Sequence, residues 1–61
     1  PSSAIAMIHL GLGDDDAVFE WLGRALDERD ALMPWLKYFP PFNRLHPDPR
    51  FSDLLRRLGL L

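Results

Sequence analysis

Apolar residues in this chain recur at three- and four-residue intervals, and nowhere do they alternate with polar ones as the half-buried face of a strand would. That spacing commits the sequence to helices, and the predicted class is all-α. Glycine, proline and aspartate then cut the chain into short pieces. Gly11-Leu12-Gly13, Asp30, Pro40-Pro41 and Asp48-Pro49 are each a helix stop or a helix start.

Four helical segments follow. The first, about 3–12, takes Ser3 as its cap and carries Ala4, Ile5, Ala6, Met7, Ile8, Leu10 and Leu12, interrupted only by His9. A helix apolar nearly all round is expected to be buried on more than one side. The sequence therefore predicts a neighbour for it, either an upstream helix or another copy of the chain.

The second helix, about 15–29, is capped by Asp14 or Asp15, with the remaining acidic side chains on the positive end of the helix dipole. Its stripe is Val18, Trp21, Leu22, Ala25, Leu26 and Arg29, widened by Phe19, with Trp21 expected in the core. Glu20–Arg24 and Arg24–Glu28 are spaced as i,i+4 ion pairs. Gly23 in mid-helix costs about 1 kcal/mol against alanine, which points to a close helix contact there.

Asp30 caps a short third helix, about 31–38, whose apolar side is Leu32, Trp35, Leu36 and Phe39; a turn pinned inward by Phe42 and Leu45 follows. Asp48 as cap and Pro49 in the first turn open the last helix, about 49–58, with the stripe Phe51, Leu54, Leu55 and Leu58. Gly59 closes it, and Leu60 folds back onto it.

With 61 residues the chain is one small helical domain, spanning 1–61. It opens on Pro1-Ser2-Ser3 without an initiator Met, which reads as the C-terminal fragment of a larger repeat protein. Cysteine is absent, so disulfides, thiol chemistry and Cys-based zinc sites are excluded, and a cytoplasmic location is the natural reading. Seven Lys and Arg against nine Asp and Glu give no basic surface for a nucleic-acid backbone. No apolar run approaches the length of a membrane span.

The stretch from Ala6 to Ala25 resembles a tetratricopeptide repeat (TPR), a helix hairpin with small residues where its helices touch. Ala6 and Ala25 stand at small positions, Val18 where the motif usually has Ala, Leu22 in the large slot and Gly13-Asp14 at the turn. The run from Glu28 to Leu60 is similar, without a gap, to the tail that ends many bacterial repeat proteins. Glu28, Arg29, Asp30, Leu36, Lys37, Pro40, Phe42, Leu45, Asp48, Pro49, Arg50, Phe51, Leu54, Leu55, Arg56, Arg57, Gly59 and Leu60 all match that tail. Ala31, Phe39, Arg44, His46 and Pro47 depart from it, and Phe39 removes the carboxylate that would cap the Phe42–Leu45 turn. The resemblance implies a TPR-like hairpin followed by a capping tail. It also implies a non-catalytic scaffold, or a purely structural array end, in a multidomain bacterial regulatory protein.

Sharper chemistry finds little purchase. Asp14, Asp15 and Asp16 lack the ligand spread and closing Glu of a calcium loop, so capping outweighs metal binding. His9 and His46 have no adjacent orienting partner in sequence and read as packing and exposed residues. Gly-rich phosphate loops, nucleophile elbows and metal motifs do not occur, so no enzyme, cofactor or metal site is expected. The expected partner is a protein or peptide, docked on a surface built from Ile5, Ile8, His9, Leu12 and Trp35. The first helix also offers a route to a homodimer.

Overall fold

In a computed structural model that describes residues 1–60, the order is α1 (Ser2–Leu12), α2 (Asp15–Asp27), two 3₁₀ helices (Met33–Tyr38 and Pro40–Leu45) and α3 (Pro49–Arg57). Among the described residues there is no strand, and the fold is all-α. α1 and α2 form the main helix–helix contact, and α3 meets α2 more sparingly.

Each α-helix ends in the same way. Beyond α1, Gly13 takes the left-handed conformation (φ 76°), its N–H donates to the Leu10 carbonyl, and the Asp14 N–H reaches back to His9. Beyond α3, Gly59 does the same at φ 77°, and the Leu60 N–H donates to Leu55 at 2.9 Å, as the sequence predicts. Beyond α2 the left-handed residue is Arg29, at φ 57°. Its N–H donates to Leu26 and that of Asp30 to Ala25. Arg29 thus stands outside the helix and exposed, not in the apolar stripe assigned to it, and α2 ends at Asp27 rather than at 29.

Helix starts are less uniform. Asp14 caps α2 by accepting from the Ala17 N–H at 3.2 Å, and Asp48 caps α3 by accepting from the Arg50 N–H at 2.8 Å. α1 starts one residue earlier than expected, with Pro1 at its cap position and no side-chain cap from the described residues. Ser3 lies inside the helix, and its hydroxyl serves a tertiary contact instead.

The third predicted helix is 3₁₀, not α, and begins at Met33. Pro34 lacks an N–H in its first turn, and Pro40 forces Phe39 into extended backbone (φ −89°, ψ 107°). What remains is a six-residue piece. A 3₁₀ helix repeats every three residues, so Met33 and Leu36 point inward while Trp35 and Tyr38 point out. An α-helical period misses Met33 and places Trp35 on the wrong side. The next piece obeys the same rule, with Phe42 and Leu45 buried. Phe39, standing where the capping carboxylate is absent, sets its ring 5.6 Å from that of Phe42.

The core is Ala6, Val18, Phe19, Leu22, Ala25, Met33, Leu36, Phe42, Leu45, Phe51, Leu54 and Leu55. Every element contributes to it. Trp21, expected inside, is half-buried at its edge, with the Arg24 guanidinium 4.6 Å above the ring. Gly23 makes no close helix contact, since a Cβ built there meets no described atom within 4 Å. Of the two predicted ion pairs on α2, Glu20–Arg24 forms at 3.5 Å, whereas Glu28 is engaged elsewhere.

Candidate functional site

The orientation of α1 is set by polar contacts at its ends. Ser2 Oγ donates to Glu28 Oε1 at 2.7 Å. Ser3 donates twice to Asp30 Oδ2, from Oγ at 2.8 Å and from its backbone N–H at 3.2 Å, while Asp30 Oδ1 accepts from the Leu32 N–H at 3.0 Å. The Leu32 bond, followed by those from Ser3, holds the Asp30 carboxyl below the usual carboxylate range. Asp30 therefore joins the start of α1, the exit from α2 and the entry to the 3₁₀ segment. At the far end Arg44 Nη2 donates to the Leu10 carbonyl at 3.3 Å, and Nη1 lies 2.8 Å from Asp15 Oδ1 as an ion pair.

Between these anchors the residue that packs most completely is Ala6, fully buried against the core. A small side chain at this point lets the two helix backbones approach. It also means that α1 buries its serines and an alanine, with Leu10 half-buried against the core, while Met7, Ile8 and Leu12 face out. Ile8 is 63% exposed, Leu12 74% and Met7 37%, with Ala4 and Gly11 exposed beside them. Ile5 and His9 sit half-buried along one edge of this face. The His9 Nδ1 is buried and has no hydrogen-bond partner among the described residues. From Ser2 to Leu12 the helix carries no Asp, Glu, Lys or Arg.

Of the surface predicted from sequence, Ile5, Ile8, His9 and Leu12 are thus brought onto one side of one helix, and Met7, Ala4 and Gly11 join them. Within this chain α1 is covered on one side, and the neighbour expected for its other side, an upstream helix or another copy, is not among the described residues. Trp35 is 66% exposed but belongs to a different element, beside Tyr38 at 69%, and that 3₁₀ helix does not pack extensively on α1.

A separate feature, a groove of about 390 Å³, runs between α2 and α3 and is lined by Phe19, Gly23, Pro49, Arg50, Asp53, Leu54 and Arg57. The one sequence signal for it is Gly23, whose missing side chain leaves the groove open. Its charged rim is internally matched. Arg50 Nη1 lies 2.8 Å from Asp16 and its Nη2 3.0 Å from Asp48, while Arg57 lies 3.7 Å from Asp27. Those hydrogen bonds from Arg50, its side chain first, keep the Asp48 carboxyl lower than usual. Arg50 also covers the Phe19 ring at 4.3 Å, so its guanidinium is committed to holding α3 on α2.

The acidic run is divided in the same spirit: Asp14 caps, Asp15 meets Arg44 and Asp16 meets Arg50. Among the described residues no group of three or more His, Asp or Glu side chains is placed to hold a metal ion, and no helix is long and apolar enough to cross a membrane. His46 is exposed as expected, with its ring stacked 4.6 Å from Phe51. No family model, curated protein or solved structure matches the chain.

Proposed function

We propose that this chain is a non-catalytic protein-interaction module of the TPR-like kind, acting in the cytoplasm, which buries a partner's helix or peptide against the outward face of α1. The observation that carries the reading is the exposure of Ile8 and Leu12 on a helix without a charged side chain. A surface of that composition is costly to leave in water, at roughly 25 cal/mol per Å² of apolar area, and it suits an apolar partner surface. Ala6, Val18, Leu22 and Ala25, on which the resemblance of the hairpin rests, are buried in one cluster.

The test is titration of the isotope-labelled chain with amphipathic helical peptides, followed by amide chemical shifts. Shifts concentrated on α1 and lost in an Ile8→Asp, Leu12→Asp variant are expected. Peptide binding that leaves α1 unmoved, or that survives the double substitution, defeats the reading.

A structural role is the second reading, and the make-up of α3 favours it. That helix buries Phe51, Leu54 and Leu55 and turns Asp53, Arg56 and Arg57 to water, as the polar outer face of a terminal cap in a multidomain bacterial regulatory protein would. Removal of the residues after Pro47 should then precipitate the protein or lower its melting temperature. Unchanged solubility and melting would count against it.

A further inference from the structure

Taking α1 as a docking face, we infer that its occupant is a second copy of this chain, packed antiparallel across a two-fold axis that passes beside Ile8. The order of residues around the helix carries the inference. With about 100° of rotation per residue, Ala4 and Gly11 fall on one flank of Ile8, and Ile5 and Leu12 fall on the other. A two-fold axis perpendicular to an antiparallel pair keeps each flank against its own counterpart. Ala4 then meets Gly11 of the partner, where two small residues let the backbones come close. Ile5 meets Leu12 of the partner on the other flank, and the two Ile8 side chains meet in the middle. Large faces large, small faces small, and every contact is made twice.

Charge points to the same occupant. A helix without Asp, Glu, Lys or Arg, whose one titratable side chain is the half-buried His9 at the edge of the face, offers little to pair with a charged partner surface, so a charged side chain docked beside Ile8 would lose its water without compensation. A second α1 brings no such side chain, and antiparallel packing sets the positive end of each helix dipole beside the negative end of the other. The size of the contact sets its strength. An 11-residue helix is about 16 Å long, and a ridge of that length covers well under the roughly 800 Å² per partner of a standard stable interface. The dimer is therefore weak, with dissociation in the high-micromolar range.

Sedimentation equilibrium of the chain from about ten micromolar to about one millimolar reads this directly. The average mass should climb from the monomer value toward twice that value. Gly11→Leu should weaken association by about tenfold or more while leaving the helical circular dichroism intact, because Gly11 is exposed and a Cβ added there meets no described atom within 4 Å. The chain has no cysteine, so a single introduced thiol is unambiguous. Ile8→Cys should form an interchain disulfide on mild oxidation, and Tyr38→Cys, equally exposed but away from the axis, should lag well behind it. A chain that stays monomeric throughout overturns the inference, as does a dimer indifferent to Gly11→Leu. If a monomeric chain still shows peptide-induced shifts on α1, the docking face stands and only its occupant is wrong; if it shows neither, both readings fail.

Discussion

α1 and α3 are of similar length and place their residues in opposite ways. α3 buries Phe51, Leu54 and Leu55 and exposes its arginines, so its orientation follows from amphipathicity alone. α1 buries Ser2, Ser3 and Ala6 and exposes Ile8 and Leu12. Nothing in the apolar pattern of α1 prefers one rotation over another, because large apolar residues occur on nearly every side. Its rotation is selected by the hydrogen bonds of Ser2 and Ser3 to Glu28 and Asp30, and by the close approach that Ala6 permits. One helix is oriented by hydrophobicity and the other by polar anchors, and substitution can separate the two.

The largest effect is expected on the α3 side. Phe51→Ala empties a fully buried aromatic site and should cost about 3–5 kcal/mol. For a domain this small that is most of its stability, and the loss should be visible as a collapsed urea midpoint.

Next comes the anchor of α1. Asp30→Ala removes the acceptor for Ser3 and for the Leu32 N–H and should cost about 1–2 kcal/mol. Hydrogen exchange should rise at the start of α1 before it rises in α3. The same contact has a pH signature. The Asp30 carboxyl titrates lower in the folded chain than the ~3.9 of an unfolded aspartate. Its stabilisation is therefore complete above about pH 4 and is lost as pH falls through the folded value. Melting temperature across that window should fall for the natural chain and fall less steeply for Asp30→Asn, which keeps the same pH dependence at Asp48.

Arg29→Gly replaces the one left-handed residue among the described residues that carries a side chain. A gain of about 0.5–1 kcal/mol is expected, read as a rise in melting temperature of several degrees. A loss would mean that the Arg29 side chain makes a contact worth more than the backbone strain.

The smallest effect is the most diagnostic. Ile8→Glu, at low protein concentration, should change stability by no more than about 0.5 kcal/mol, whereas Leu54→Ala should cost about 2–5 kcal/mol. Comparable losses at the two sites would erase the contrast between the helices.

The outward placement of Ile8 and Leu12 on α1 is legible in part from sequence, because Ile5, Ile8, His9 and Leu12 are spaced to share one side. What hid the rest was a difference of period and of scale. An α-helical period puts Trp35 on the apolar side while the docking surface read from sequence needs it outside; a 3₁₀ repeat turns it out and brings Met33 in. Gly23 pointed to a tight contact, and the structure has an open groove there, because a missing side chain leaves the same mark on a sequence in either case.

What the amino-acid order determines by itself is local: α2 and α3 started at an aspartate cap, and α1 and α3 closed by glycine. Cap geometry and left-handed backbone depend on residues within one turn of each other, so they are written in adjacent positions. The α3 stripe is equally local, since its apolar and charged residues already lie on opposite sides. Only the tertiary structure decided which side of α1 faces the core. That choice rests on bonds between residues more than twenty positions apart in the chain, Ser2 with Glu28 and Ser3 with Asp30, and local spacing encodes only which residues share a side. The exposed face of α1, and with it the proposed function, is what remains once those bonds have formed.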